Sequence, residues 1–370
     1  MQQIRILLCL FASLVVVLPA VNQARASNAY ARNFEFTDYP GYRILEVRNR
    51  SQDSTRAYRY ALIPRGETIP ELEEPIQIIR TPVRGLVAME TVYIGYLDAL
   101  EQIDALVGAA TVNFISHPEV RRRAEDGRIK TVQFGQALDV ESLLLLQPDL
   151  ILTSISGDPT FDAPPRLKRS GLPTLITAGY MEQHPLARAE WIKVMAALFD
   201  LPERGESIFR EIEEKYEALV KLTEDVDKRP SVFSGAPYSG AWYVAGGESY
   251  TARAIRDAGG HYLWADNKSA GAIPLDTERV FQKAADADFW INPSHFRSLP
   301  ELLAADARFA KFAPVANGAV FNNTRQVGPH GGNNIWERGV VRPDEVLADL
   351  IHIFHPELLP DHRFNFYESL

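Results

Sequence analysis

The 370 residues, 46% hydrophobic and 24% charged, have the balance of a globular chain long enough for two domains, not of a disordered one. A net charge of −9 argues against a nucleic-acid binder, which presents a basic face. Arg121-Arg122-Arg123 reads as a solvated helix face.

The chain opens with Arg5, an apolar run from Ile6 to Val21, and Ala24-Arg25-Ala26. This is the pattern of a secretory leader, with a cut expected after Ala26. The one cysteine, Cys9, lies inside the leader, so the mature chain is expected to hold no disulfide and no thiolate metal site. A soluble, exported, periplasmic product follows.

Residues 27–78 alternate like strands at Phe34–Thr37, Tyr42–Val47 and Tyr58–Pro64, which predicts a small β-rich appendage. From 79 to 184 the pattern changes to strand, helix, strand. Apolar runs near Leu86, at Thr131–Phe134, Leu150–Thr153 and Thr174–Thr177 are separated by helical stretches, as in a parallel α/β sheet. Residues 185–229 read as linker helices. Trp191, Val194, Met195, Leu198 and Phe199 form one apolar stripe. Asp200, Pro202 and Glu203 have capping-box spacing for a second helix reaching Asp225, which would be about 34 Å long.

Beyond it, residues 230–370 repeat the strand-helix pattern with Ser231–Ser234, Ala241–Ala245, Phe289–Asn292 and Ala319–Asn322, closing on a helix from Pro343 to Phe354. The fold class is α/β, with two parallel-sheet lobes joined by a long backbone helix. A loose repeat supports this. Asp139-Val-Glu141 through Asp149, and Asp276-Thr-Glu278 through Asp288, both read as an acid-capped short helix running into an aspartate before a strand.

Catalytic patterns are weak. Ser156, Ser234 and Ser239 lack the preceding glycine of a nucleophile elbow, so no enzyme is expected. Gly246-Gly247 and Gly259-Gly260 do not make a dinucleotide fingerprint. The eight histidines show no ligand spacing, and a lone loop histidine is more often solvated than metal-bound, so no metal site or cofactor is assigned.

Recognition by loops remains. Ligands of open α/β sheets bind beyond the carboxyl ends of strands, which here carry Met89, Glu90, Phe114, Gln136, Ser154 and Tyr180 in the first lobe, and Tyr238, Trp242, His295, Arg325, His330, Asn333, Asn334 and Trp336 in the second. Tyr180, Tyr238 and Trp336 offer stacking area; Gln136, Asn333 and Asn334 offer orientation. Arg325, His330 and Arg338 suit anionic groups. Trp242 and Trp290 lie within strand patterns and read more readily as core.

The ordered series LDALEQIDALVGA, DVESLLLLQPDLILTS, GLPTLIT, long helix, AWYVAGGESYTARAIRDAGGHYLWAD and DTERVFQKAADADFWI resembles the periplasmic binding proteins of iron-siderophore and vitamin B12 importers, from about Ile79 to Pro356. The resemblance implies a monomer that holds an iron chelate, or else a corrinoid or haem, between lobes that move little, and that docks on an ABC permease. It further implies that Glu141 and Glu278 pair with arginines of the two permease subunits. The residue-level alternative is that both acids only stabilise helix N-termini.

Overall fold

The computed structural model describes residues 25–26, 28–50, 55–72, 76–135, 137–155, 167 and 169–370. Leader residues 1–24 and the candidate Gln136 lie outside the described residues. No helix among the described residues is long and apolar enough to cross a membrane.

The appendage is a five-stranded sheet of β1 (Arg25–Ala26), β2 (Phe34–Tyr39), β3 (Tyr42–Arg50), β4 (Thr55–Pro64) and β5 (Gln77–Thr81), in sequence order. Two-residue periodicity sends Phe34, Phe36, Leu45, Val47, Tyr60 and Leu62 to one face, against the rest of the molecule. Ile44, Ala61 and Ile63 take the other, under Leu72, Ile76 and Ile78. Each large side chain so buried stabilises the fold by about 1.5–3 kcal/mol.

Polar contacts fix the attachment. The Ile176 N–H donates to the Tyr60 hydroxyl at 2.9 Å. Fully buried Glu190 accepts the N–H groups of Ala29, Tyr30 and Ala31 at 2.7–2.9 Å. Glu182 accepts those of Arg32 and Asn33. Two carboxylates therefore grip five consecutive amides, which answers the cost of burying charge.

In the first lobe β6 (Leu86–Ala88), β7 (Leu106–Ala109), β8 (Lys130–Thr131), β11 (Leu150–Ser154) and β12 (Thr174–Thr177) form a parallel sheet of order β12-β11-β6-β7-β8. Its central runs, Leu86-Val87-Ala88 and Leu150-Ile151-Leu152, are buried, as both-sided burial requires. The expected strand Thr131–Phe134 breaks at Val132 instead. Its continuation is a hairpin of β9 (Gln133–Phe134) and β10 (Ala137–Leu138), helped by Gly135 at φ +59°.

The lobe's helices are α1 (Val92–Ala99), α2 (Pro118–Glu125) and α3 (Val140–Leu146). The linker is α4 (Pro185–Ala189), α5 (Ile192–Leu198) and α6 (Pro202–Leu222). Over 21 residues α6 spans about 32 Å, burying Phe209, Ile212 and Tyr216. The expected cap is a correction: Asp200 sits at φ +56° and ends α5, while Leu201 precedes α6 without a side-chain cap. Pro202 at the first turn starts the helix without one.

The second lobe carries a sheet of β13 (Ser231–Ser234), β16 (His261–Tyr262), β18 (Phe289–Ile291), β19 (Val320–Asn322) and β20 (Glu368–Ser369), parallel except for β20. Ala241–Ala245 does not join it. As β15, it forms a separate antiparallel sheet with β14 (Pro237–Tyr238) and β17 (Ala272–Leu275). The reason is local, because Ser239 and Gly240 both have positive φ, a two-residue hairpin that leaves no room for a parallel crossover.

Helices α7 (Tyr250–Asp257), α8 (Thr277–Ala284), α9 (Leu299–Ala305), α10 (Ala313–Ala316), α11 (Arg338–Val341) and α12 (Pro343–Phe354) complete it. The two lobes repeat one device. Asp149 accepts the Arg84 and Gly85 N–H groups at 2.7 and 3.2 Å, and Asp288 accepts that of Ser231 at 2.7 Å. Each aspartate thereby fixes the entry of a central strand.

Candidate functional site

Between the lobes lies a cleft of two joined chambers. The larger, about 870 Å³, is walled by the second lobe, the loop 323–336 and the start of the linker. The smaller, about 320 Å³, is cut into the first lobe between α1, β12 and α5. Tyr180, Arg188, Trp336 and Val340 line both. They form the passage from one to the other.

Arg188 is the central side chain. It projects from α4, where Pro185, Leu186, Ala187 and Ala189 are buried, and its Nε and Nη2 donate to the carbonyls of Glu182 and Tyr180. Its guanidinium carbon stands 3.6 Å from the Tyr250 ring centroid, a cation-π contact. Burial pushes its pKa down from the usual value. Among the described residues no carboxylate pairs with it. The other charged group on the larger chamber, Arg297, is exposed, and no described lining residue there is an acid.

Around these cations stand Tyr243, Tyr250 and Trp336, with Ser234, Ser249 and Asn292. The strand-end loop holding Asn292 and Ser294 is strained, both at positive φ, as is common where a loop shapes a site. The smaller chamber is more apolar, with Val92, Tyr96, Trp191 and Met195. Its polar end is Glu90, 3.4 Å from the Tyr93 hydroxyl, itself 2.8 Å from Thr177 Oγ1.

Of the sequence candidates, the structure brings Glu90, Tyr180, His295, Asn333 and Trp336 to the chamber walls. Asn333 is committed within its own loop, donating to the Asn323 carbonyl at 2.9 Å. Trp242 is corrected to core, fully buried against Phe233, Trp290, Phe309 and Phe312. Met89 packs on the cluster of Val87, Val132 and Leu143, and Ser154 lies at the β11–β12 edge; neither lines a chamber.

Tyr238 stands on a hairpin outside the cleft, 71% exposed. Arg325 and His330 are exposed beyond the walls. Asn334 donates to Gln326 at 2.6 Å, and Arg338 pairs with Glu345, so both close local structure. Glu141 is exposed on α3; Glu278 is exposed on α8, 2.8 Å from Arg308. Sequence reasoning missed Arg188, Tyr243 and Tyr250. A lone cation inside the apolar turn PLARA was the available signal.

Phe114 belongs to a bridge between the lobes. A Cβ on Gly332 would come within 2.2 Å of the Phe114 carbonyl oxygen, and one on Gly95 within 2.4 Å of that of Glu337. These glycines let the loop before α11 lie directly on α1 and the Phe114 turn. Glu337, buried in that contact, accepts the Ser116 N–H at 2.6 Å.

Two lobes on a linker helix, a polar-aromatic cleft between them and a bridging loop define a ligand-binding protein. A family model described as periplasmic binding protein matches residues 86–326, and the chain belongs to that family. An uncharacterized lipoprotein of Methanocaldococcus jannaschii is 23% identical over 80% of this chain and 71% of its own. The fold matches Helicobacter pylori CeuE, solved with Ni(II) bound, at TM-score 0.59 and 18% identity, over 78% of this chain and 89% of that one. It also matches a periplasmic heme-binding protein of Pseudomonas aeruginosa at TM-score 0.56 and 18% identity, over 74% and 93%. The appended sheet, β1–β5, precedes the matched family segment.

Proposed function

We propose that this protein is the periplasmic binding subunit of an ABC importer and captures an anionic iron chelate in the interlobe cleft. The supporting observation is the charge of the larger chamber, where Arg188 and Arg297 face a space whose described lining has no acid. A guanidinium held by carbonyls and stacked on Tyr250 keeps donors for a carboxylate or catecholate, and the tyrosines and Trp336 supply flat apolar area. Haem is the second reading, favoured by the apolar smaller chamber opening beside Arg188; a corrinoid is the third.

In this reading the leader is cut after Ala26, the mature protein acts as a monomer, and Glu141 and Glu278 meet basic groups of the permease. Calorimetric titration with an anionic ferric tricatecholate, a neutral ferric trihydroxamate, haem and cyanocobalamin tests the cargo. The tricatecholate is expected to saturate one site, and Arg188→Gln to weaken it at least about tenfold, the loss of one charge-assisted contact. Exclusive binding of haem or cobalamin moves the assignment to that ligand. No binding across the panel ends the proposal.

A further inference from the structure

Each lobe raises the same small structure on its surface. In the first, β9 and β10 put Phe134 opposite Ala137 with two residues between them. In the second, β14 and β15 put Tyr238 opposite Ala241, again with two residues between. Both aromatic side chains are pushed into solvent, Phe134 at 64% exposure and Tyr238 at 71%.

Both hairpins also lead to the same neighbour. β10 ends one residue before Asp139, whose side chain caps α3 by accepting the Ser142 N–H at 2.9 Å. Beside β15, Trp242 pairs with Leu275 of β17, so Ala241 and Tyr238 stand level with Asp276. Asp276 caps α8 by accepting the Glu278 N–H at 2.8 Å. Each exposed ring therefore accompanies an exposed glutamate two residues into a capped helix, Glu141 in one lobe and Glu278 in the other. On α3, Leu144 and Leu145 are exposed as well.

We infer that Phe134 and Tyr238 are the apolar half of a two-part docking surface for the importer's membrane permease. A surface built twice, once per lobe, fits a partner that itself offers two matching copies of one site. The partner's chemistry follows from the patch. The exposed glutamates, Glu141 and an Arg308-paired Glu278 that can share its carboxylate with a second cation, suit basic groups, and a ring beside each asks for an apolar recess, the anchor-plus-charge pattern of interface hot spots. Neither ring lines the cleft, so the rings serve docking and not cargo.

The inference rests on the importer reading, and the test separates the two. Cells lacking the gene are complemented with wild type, Phe134→Ser/Tyr238→Ser, or Glu141→Lys/Glu278→Lys, and uptake of radiolabelled ferric tricatecholate is measured. The purified aromatic variant is expected to bind the chelate as wild type does, to remain a monomer by light scattering, and to lose at least about tenfold in uptake, one lobe's change alone losing less. Full uptake by the aromatic variant overturns the inference. So does full uptake accompanied by a change in the protein's own association state, which makes the rings a self-contact. Uptake that survives deletion of the gene strikes the importer reading, and this surface with it.

Discussion

His184 caps α4 through Nδ1, accepting the Leu186 N–H at 3.1 Å, and lies between Tyr30 and Tyr216. Burial, then the nearby charge of Arg253 and Arg256 opposed by Asp257, pushes its pKa down to about 4. The folded protein thus resists a proton that the unfolded chain takes up near the ordinary value of 6.5. The His184 contribution to stability is whole above about 6.5 and is lost as pH falls from there towards 4. Urea titrations between pH 7.5 and 4.5 should show His184→Asn, which keeps a capping acceptor, losing less stability over that interval than wild type; parallel curves would contradict this.

Single residues were unevenly legible. Asp139 and Asp276 cap helices as their spacing indicated. Trp242 and Tyr238 share a hairpin and an aromatic character, yet one is core and one is solvated, because the strand period decides the face and the sequence does not say which face is covered. Arg188 was hidden for another reason. Its partners are backbone carbonyls and a ring 62 residues away, and no local pattern encodes them.

At the level of elements, the bridge between α1 and α11 depends on the absence of a side chain. A methyl group at Gly95 would meet the Glu337 carbonyl oxygen at 2.4 Å and its carbon at 2.6 Å, backbone atoms that cannot rotate aside. Gly95→Ala, although alanine is the better helix former, is expected to cost about 1–3 kcal/mol through overpacking, and to weaken cargo binding because Trp336 adjoins the displaced segment. Chemical denaturation and calorimetry on the same variant check both; unchanged stability would show that α1 has room to move.

The strands and the long helix followed from periodicity, since their burial is repetitive. The antiparallel β14-β15-β17 sheet did not, because a strand of five residues reads alike in either direction until its turn is recognised. Ser239-Gly240 carried that information.

For the whole molecule, the described residues join the lobes through the linker helices and through the loop seated on α1, and the amino-terminal strap braces the linker. Glu182, just before the linker, and Glu190 on it hold residues 29–33, and Tyr30 reaches Glu217 of α6 at 2.8 Å. A braced linker and a seated loop leave little freedom to hinge. Small-angle scattering is expected to give a radius of gyration that changes by less than about 1 Å on saturation with cargo; a larger contraction would mean that the bridge opens.

The placement of the five tryptophans gives this protein a built-in optical readout. Trp242 and Trp290 are sealed in the second lobe, and Trp191 is nearly so beside the smaller chamber, while Trp336 stands 47% exposed at the passage. A guest seated at the passage would change the surroundings of the Trp336 indole and leave those of the sealed pair as they are, so a shift in emission colour reports whether the guest has touched that wall.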